Sequence, residues 1–130
     1  MRDALNKTGR PIFYSLCSWG EEDVWQWGNV TGNSWRTTGD ISDNWESVEN
    51  LFYINDKHPE SAGPGGWNDP DMLEIGNGGL TLDEERSHFA LWAFAKAPLL
   101  IGCDLAKVST DSLNILKSAL LISINQDSLG

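Results

Sequence analysis

The chain has 130 residues, 40% of them hydrophobic and 22% charged, which is typical of a globular domain with a core of its own. Nine Lys and Arg residues against 19 Asp and Glu residues give a formal net charge of -10 at pH 7. Nucleic acids and anionic membranes are therefore poor partners, because phosphate groups bind to basic surfaces, whereas a neutral ligand is compatible with this charge.

Short sequence signals bear on targeting and cofactors. No apolar run is long enough to span a bilayer, and residues 1–7 lead into a polar helix rather than a signal peptide. The two N-glycosylation sequons, at Asn6 and Asn29, nevertheless favour a secreted protein. The alternative location is the vacuole or the lysosome. Cys17 and Cys103 are too few for a disulfide scaffold or a zinc site, so we expect buried thiols. We also predict that the protein uses no cofactor.

The first elements in chain order are the end of a helix and two strands. Residues 1–7 are predicted to end a helix before a glycine and a proline. The apolar run 12–17 predicts a strand buried on both faces, and a shorter strand is predicted over 35–38.

A helix is predicted to begin at Asp43, with Glu46 closing a weak capping box. Its apolar stripe consists of Trp45, Val48 and Phe52. The glycines and proline of 63–66 then break the chain before a very short strand near Trp67.

The clearest predicted helix begins at Thr81, whose capping box is closed by Glu84. Its buried face consists of Phe89, Trp92 and Ala93. We expect Lys96 to interact with the negative end of this helix and Pro98 to end it.

The last predicted elements are a buried strand over 99–103 and a helix capped by Ser109 or Thr110. One face of that helix is predicted to carry Leu113, Leu116 and Leu120.

Strands that alternate with helices predict a parallel sheet covered by helices. A doubly wound sheet is one solution, but the glycine fingerprint for phosphate binding is absent after the first strand. Polar and aromatic residues instead follow each strand's carboxyl end, at 18–19, 36–40, 68–72 and Asp104. This arrangement is typical of a (β/α)8 barrel, and a complete barrel needs roughly 250 residues. We therefore expect an α/β fold, a TIM-barrel fragment of about the last four β/α units, over residues 1–130.

Four aspartates are candidate active groups: Asp40, Asp69, Asp71 and Asp104. Glycoside hydrolysis needs two carboxyl groups on opposite sides of the scissile bond. Sugars also need aromatic faces to stack on and polar side chains that bind hydroxyls. Tryptophans 19, 25, 27, 35 and 67 offer the faces, and Arg36, Asn68 and the acids offer the polar groups.

Each of these residues also has a simpler interpretation. The Asp-Pro-Asp of 69–71 is often only a turn, Asp40 and Asp104 could cap turns or a helix, and tryptophans more often pack in cores. His58 is expected at the surface and His88 packed or half-exposed. A hard-metal site of Asp69, Asp71 and Asp104 is conceivable by ligand type, but no loop has a known calcium spacing, and we predict no metal.

Four motifs in order, "GRPIFYSLCSWG", "NSWRTTGDI", "GGWNDPDMLEIGNGGLTLDEERSHFALWAFAKAPLLIGCDL" and "LISINQDSLG", resemble the α-galactosidases of glycoside hydrolase family 27. The resemblance implies a retaining glycosidase on a (β/α)8 barrel that removes terminal α-linked galactose from oligosaccharides or glycoconjugates. It implies that Asp40 is the acid/base and that Arg36 binds the sugar near the nucleophile. Asp71 and Met72 would line the pocket, and Ser18 and Trp19 complete the predicted substrate-binding set.

Two parts of the family pattern are not found in these 130 residues. The family's nucleophile is an aspartate in a K-x-D-type motif at the end of the fourth barrel strand, and no such segment is present. The family's C-terminal β domain is also absent. We therefore expect the 130 residues alone to be inactive. The alternative from another class is a half-barrel that binds sugar or partners without catalysis.

The second departure concerns substrate choice. Many relatives carry glutamate at the position of Ser18, whereas serine occurs in the α-N-acetylgalactosaminidase branch, where it leaves room for the acetamido group. The following loop, Gly20 to Asp23, lacks that branch's small residue, so galactose is favoured. A homo-oligomer is a further expectation for the full-length enzyme.

Overall fold

The computed structural model describes residues 1–129, and its centre is a three-stranded parallel sheet in the order β1-β2-β3. The strands are β1 (Ser15–Leu16), β2 (Ser34–Arg36) and β3 (Trp67–Asp69). Leu16 lies opposite Trp35, and Trp35 lies opposite Asn68. The predicted parallel sheet is therefore confirmed with three of its four predicted strands, although each strand is short.

In the described part of the chain, six α-helices and two 3₁₀ turns accompany the sheet. The helices are α1 (Arg2–Asn6), α2 (Val24–Trp27), α3 (Trp45–Asn55), α4 (Leu82–Phe94), α5 (Thr110–Leu116) and α6 (Ala119–Asn125), and the 3₁₀ turns cover Gly28–Val30 and Pro59–Ser61. Within residues 1–129, no helix combines the length and apolar character that crossing a membrane requires.

Helix α4 begins as predicted. The Thr81 amide donates to Glu84 Oε2 at 2.7 Å, and the Glu84 amide donates back to Thr81 Oγ1 at 3.4 Å, which is a complete capping box. Helix α3 begins differently, because Asn44 is its cap and accepts from the Ser47 amide at 2.9 Å. The predicted box of Asp43 and Glu46 is wrong.

Asp43 does not cap α3, because its side chain binds a loop that is distant in the sequence. Its Oδ2 accepts a hydrogen bond from the Gly79 amide at 2.7 Å. A side chain at Gly79 would place its Cβ 2.0 Å from the Asp43 carbonyl oxygen, so the two segments are in direct contact. The loop that follows β3 is therefore fastened to the start of α3.

The main core lies between helices α3, α4 and α5 and the segment after β3. Its buried members are Val48, Leu51, Leu73, Ile75, Leu80, Phe89, Trp92, Ala97 and Leu116. The predicted face of α4 is confirmed, and Trp45 and Phe52 pack against this core while half-buried. A second cluster forms around Trp35, with Leu16 and Val24.

Two predicted strands are much shorter than expected. Over 12–17 only Ser15–Leu16 pairs, and the side chains of Ile12 and Phe13 are 41% and 65% exposed. Within residues 1–129, β1 pairs with β2 alone, so an apolar run there does not imply burial on both faces. The predicted strand 99–103 is reduced to one parallel bridge between Leu73 and Ile101.

The predicted final helix is in fact two helices. Helix α5 ends at Leu116, and Ser118 caps α6 by accepting from the Leu121 amide. The break between the two helices interrupts the predicted stripe: Leu116 is buried, Leu113 is half-buried and Leu120 is 70% exposed.

The end of α4 also differs from the prediction. Helix α4 ends at Phe94, four residues before Pro98, and Lys96 adopts a left-handed φ of 55°. The Lys96 Nζ donates to the carbonyl oxygen of Ile124 at 2.6 Å and pairs with Asp127 at 3.0 Å. Lys96 therefore interacts with the C-terminal end of α6 rather than with its own helix.

The two cysteines are free, and neither is a buried thiol as predicted. Cys17 is exposed and Cys103 is half-buried. Each cysteine ends an apolar run of which few residues pair with the sheet, so the expected burial is not reached within residues 1–129.

Candidate active site

The carboxyl ends of the three strands lie side by side and continue as adjacent loops. The Gly20 amide donates to the Arg36 carbonyl oxygen at 2.9 Å, and the Thr37 amide donates to the Asp69 carbonyl oxygen at 3.0 Å. Gly20 has a φ of 78°, and a Cβ there would lie 2.2 Å from the Thr37 carbonyl oxygen. Only glycine permits this approach, which brings the candidate residues 18–19, 36–40 and 69–72 to one edge.

A buried ion pair joins two of these loops. Arg36 Nη2 lies 2.9 Å from Asp71 Oδ2, and the two side chains are 11% and 10% exposed. The same nitrogen donates to the carbonyl oxygens of Thr38 at 3.2 Å and Gly39 at 2.6 Å. The guanidinium is therefore held in one orientation at the end of β2.

Asp71 adopts an unusual backbone conformation, with a φ of 89°. Its carboxylate accepts from the Met72 amide at 2.8 Å and from the Ile41 amide at 2.9 Å. A non-glycine residue persists in the left-handed region only where its surroundings determine it strongly. Such strain at a charged residue is typical of functional sites.

The Asp69 side chain stabilises the turn at residues 69–71. Its Oδ1 accepts from the Asp71 amide at 2.9 Å, so the simpler interpretation of the Asp-Pro-Asp segment is correct for this residue. Burial raises the pKa of Asp69, and the Asp71 amide and the Arg36 charge act in the opposite direction. The first aspartate thus shapes the turn that presents the second.

Asp40 lies beside the ion pair but faces solvent. Its side chain is 81% exposed, and its Oδ1 is 3.4 Å from Arg36 Nη2. An exposed carboxyl group next to a buried, oriented cation can exchange protons with a bound molecule and with water. The Asp40 carboxyl group is therefore accessible both to a molecule bound at this edge and to water.

The remaining predicted site residues lie on the neighbouring loops. Trp19 is 52% exposed with a left-handed φ of 56°, and Met72 is 43% exposed. Ser18 is half-buried, and its Oγ is buried without a hydrogen-bond partner within residues 1–129. Trp19 and Met72 therefore offer apolar surface at the same edge as the ion pair.

Asn68, Trp35 and Trp25, which were also candidates for binding a sugar, make contacts to other residues instead. Asn68 is buried, where it accepts from Trp35 Nε1 at 2.7 Å and donates to the His58 carbonyl oxygen, so it is not free to bind hydroxyls. Trp35 is fully buried in the core, and Trp25 stacks on the half-exposed ring of His58 with 4.0 Å between centroids.

Asp104 has the turn role that was the simpler interpretation. It accepts from the Ala106 amide at 3.0 Å and pairs with Lys107 at 3.0 Å. In residues 1–129, no group of three or more His, Cys, Asp or Glu side chains is arranged to hold a metal ion.

Two residues on α4 that no sequence motif marks as site residues support the loop that carries Asp71. Trp92 Nε1 donates to the Asp71 carbonyl oxygen at 2.8 Å, and His88 Nε2 accepts from the Glu74 amide at 3.1 Å. Their rings meet edge to face, 4.1 Å apart. The spacing of four residues on a predicted helix placed them on one face, but only the fold shows which loop that face meets.

His88 predicts a pH dependence of stability. Burial lowers its pKa from 6.5 to about 4. Between those values the unfolded chain binds the proton that the folded chain excludes, so stability is complete above pH 6.5 and falls as the pH drops toward 4. The His88→Gln variant does not titrate there. We expect the stability advantage of the natural protein over this variant, measured by urea unfolding, to shrink by about 2 kcal/mol between pH 7 and pH 5. A constant difference would contradict a buried neutral histidine.

A family model described as α-galactosidase A, of the melibiase group, matches residues 1–127. Over all 130 residues the chain is 58% identical to α-galactosidase 3 of Arabidopsis thaliana and 56% identical to an α-galactosidase of Cyamopsis tetragonoloba. It covers 30% and 32% of those proteins. The structure of an α-galactosidase from Saccharomyces cerevisiae with raffinose matches the whole chain at 41% identity and a TM-score of 0.95, over 34% of its length.

The chain thus spans about a third of the length of the relatives it matches. Its structural neighbours are TIM-barrel enzymes, which confirms the predicted barrel fragment. The chain belongs to the α-galactosidase (melibiase) family, glycoside hydrolase family 27, and forms part of its (β/α)8 barrel.

Proposed function

We propose that the protein containing this chain is a retaining α-galactosidase, with Asp40 as its acid/base. The observation that carries the proposal is the buried Arg36–Asp71 pair beside the exposed carboxyl group of Asp40. Relatives at 50–58% identity that bear the name α-galactosidase, or probable α-galactosidase, support the same reaction. The substrates are terminal α-galactosides, of which raffinose, the sugar in the yeast structure, is the natural first probe.

The proposed chemistry has two steps. A carboxylate outside these 130 residues attacks the anomeric carbon, and Asp40 gives its proton to the leaving glycosidic oxygen. Asp40, now a carboxylate, then takes a proton from water as that water displaces the enzyme carboxylate, which restores both groups. We predict that neither step uses a metal or a cofactor.

The other residues of the site bind the sugar. Arg36 presents donors in a fixed direction, and the Asp71 carboxylate is an acceptor for hydroxyl groups. Trp19 and Met72 supply exposed apolar surface that a sugar ring can cover. Ser18 is a small residue, so it leaves room at position 2 of the sugar for either a hydroxyl or an acetamido group.

Galactose is the proposed sugar, and N-acetylgalactosamine is the alternative. The complete reading frame that encodes these residues should hydrolyse raffinose and the nitrophenyl α-galactoside faster than the N-acetylated analogue. The opposite order would assign the protein to the α-N-acetylgalactosaminidase branch. A folded product that binds galactose but turns over neither substrate would indicate a non-catalytic sugar-binding protein.

The predicted inactivity of the 130 residues alone is a separate test. Purified residues 1–130 are expected to give no turnover of the nitrophenyl α-galactoside, because the proposed reaction needs a nucleophile that they do not contain. Robust turnover would place a nucleophile within this chain and overturn the assignment of roles.

We also propose that the protein is secreted. Both sequon asparagines, Asn6 and Asn29, are exposed, which an oligosaccharyltransferase requires. A loss of mass after endoglycosidase treatment of the natural protein would show that it enters the secretory route. Its recovery from the extracellular medium would then support secretion, and its recovery from the vacuole or lysosome would support the alternative. A homo-oligomer stays a prediction.

A further inference from the structure

Helix α4 makes three side-chain hydrogen bonds to the backbone of one loop. Trp92 Nε1 donates to the Asp71 carbonyl oxygen at 2.8 Å. His88 Nε2 accepts from the Glu74 amide at 3.1 Å, and Glu85 Oε1 accepts from the Gly76 amide at 2.8 Å. We call Trp92, His88 and Glu85 the α4 ladder.

The spacing of the α4 ladder matches the loop that it contacts. Glu85, His88 and Trp92 are three and four residues apart, so they share one face of α4. Their partners run in the opposite order, from residue 76 back to residue 71. The helix therefore fixes the loop backbone at three successive points.

The ladder residues are polar groups in an apolar core. Glu85 is 3% exposed, and His88 and Trp92 are fully buried among core residues. Glu85 Oε2 and His88 Nδ1 are buried and have no hydrogen-bond partner within residues 1–129. Burial of such groups is unfavourable unless they are bonded, and the bond that each makes is to the loop. Filling the core does not by itself explain these residue types.

The loop that the ladder holds carries Asp71. On its other side, the Leu73 amide donates to the Leu100 carbonyl oxygen at 2.8 Å, and the Gly102 amide donates to the Leu73 carbonyl oxygen at 3.0 Å. Asp71 has a φ of 89°, a conformation that persists only where its surroundings impose it. The Trp92 bond is made to the carbonyl group of this strained residue.

We propose that the α4 ladder is the positioning device for Asp71, with Trp92 as its principal member. The ladder keeps the Asp71 carboxylate in contact with Arg36 and thereby sets the affinity for the sugar. This role rests on the proposed function. Trp92, His88 and Glu85 act through the loop and touch no reacting atom.

Trp92→Phe is the central test, because it removes the donor and retains an aromatic ring. In the complete reading frame we expect KM for the nitrophenyl α-galactoside to rise about tenfold, while kcat changes less than about threefold. Phe89→Leu is the matched control, since Phe89 is equally buried in the same helix and makes no bond to the loop. Its melting temperature should fall without a change in KM.

His88 provides a second test with a conservative rescue. His88→Leu removes the acceptor for the Glu74 amide and should raise KM, whereas His88→Gln offers an amide oxygen there and should restore KM toward the natural value. If Trp92→Phe and His88→Leu lower stability as Phe89→Leu does and leave KM unchanged, the ladder is merely structural and the proposal is overturned.

The ladder can also be tested if the protein proves inactive on α-galactosides. The Ile41 and Met72 amides donate to the Asp71 carboxylate, so their hydrogen exchange reports the position of that group. Trp92→Phe should speed exchange at both amides more than Phe89→Leu does. Equal exchange in the two variants would overturn the positioning role, whereas absent turnover alone would overturn only the proposed function.

Discussion

Replacement of Asp40 by asparagine is expected to lower kcat/KM for raffinose by roughly 10²- to 10⁴-fold in the complete reading frame. Asparagine has no acidic proton to give to the leaving oxygen, which slows formation of the glycosyl-enzyme, the step that kcat/KM reports. It also cannot act as a base toward water, which slows the second step and lowers kcat. The loss should be smaller for the nitrophenyl α-galactoside in the step that forms the glycosyl-enzyme, because nitrophenolate leaves without protonation. Comparison of the two substrates by pre-steady-state kinetics therefore identifies the step in which Asp40 acts.

The control for this variant is Asp104→Asn, which neutralises another partly exposed aspartate near the carboxyl end of a predicted strand. Asp104 only caps a turn and pairs with an exposed lysine, so kcat/KM should not change. Asp40→Asn should leave the fold intact, since the Asp40 side chain is 81% exposed. Equal activity of Asp40→Asn and the natural protein would remove Asp40 from the proposed mechanism.

Replacement of Asp71 by asparagine is expected to destabilise the protein by about 3 kcal/mol and to weaken galactose binding by about 100-fold or more. The change leaves the Arg36 guanidinium buried without its carboxylate, and breaking a buried pair by neutralising one partner costs about 3–5 kcal/mol. Chemical unfolding gives the first quantity, and calorimetry with galactose gives the second.

A double substitution separates the two effects. Arg36→Gln with Asp71→Asn removes both charges, so much of the stability should return, while the sugar loses both of its polar partners and binding stays weak. Asp83→Asn is the control for the loss of an aspartate, because Asp83 pairs with exposed Arg86 on the surface of α4. Asp71→Asn would contradict the proposed site if it bound galactose as tightly as the natural protein.

Several elements could be predicted from short stretches of sequence. The Thr81 capping box and the buried face of α4 depend on residues within one or two helical turns, and both are confirmed. The turn at 69–71 depends on the Asp69 side chain and the amide two residues later. In each case the interacting groups are close in sequence, so their geometry follows from local backbone rules.

Apolar runs were a poorer guide to strands and burial. The runs 12–17 and 99–103 predicted buried strands, yet only Ser15–Leu16 and a bridge at Ile101 pair with a neighbour. An apolar run indicates which residues would be stabilised by burial, whereas their actual burial depends on which other elements of the fold cover them. Asp43 failed as a helix cap for a related reason, since the Gly79 amide 36 residues away is its partner.

By itself, the sequence determined the family, the α/β class, the local caps and turns, and the set of residues from which the site is drawn. The tertiary structure alone decided how most of those residues are used: Asp71 pairs with Arg36, Asn68 is buried, and Trp92 holds the loop. These contacts join groups that lie 21 to 35 positions apart in the sequence. Such choices depend on distance and burial in the folded chain, which residue type and spacing do not specify.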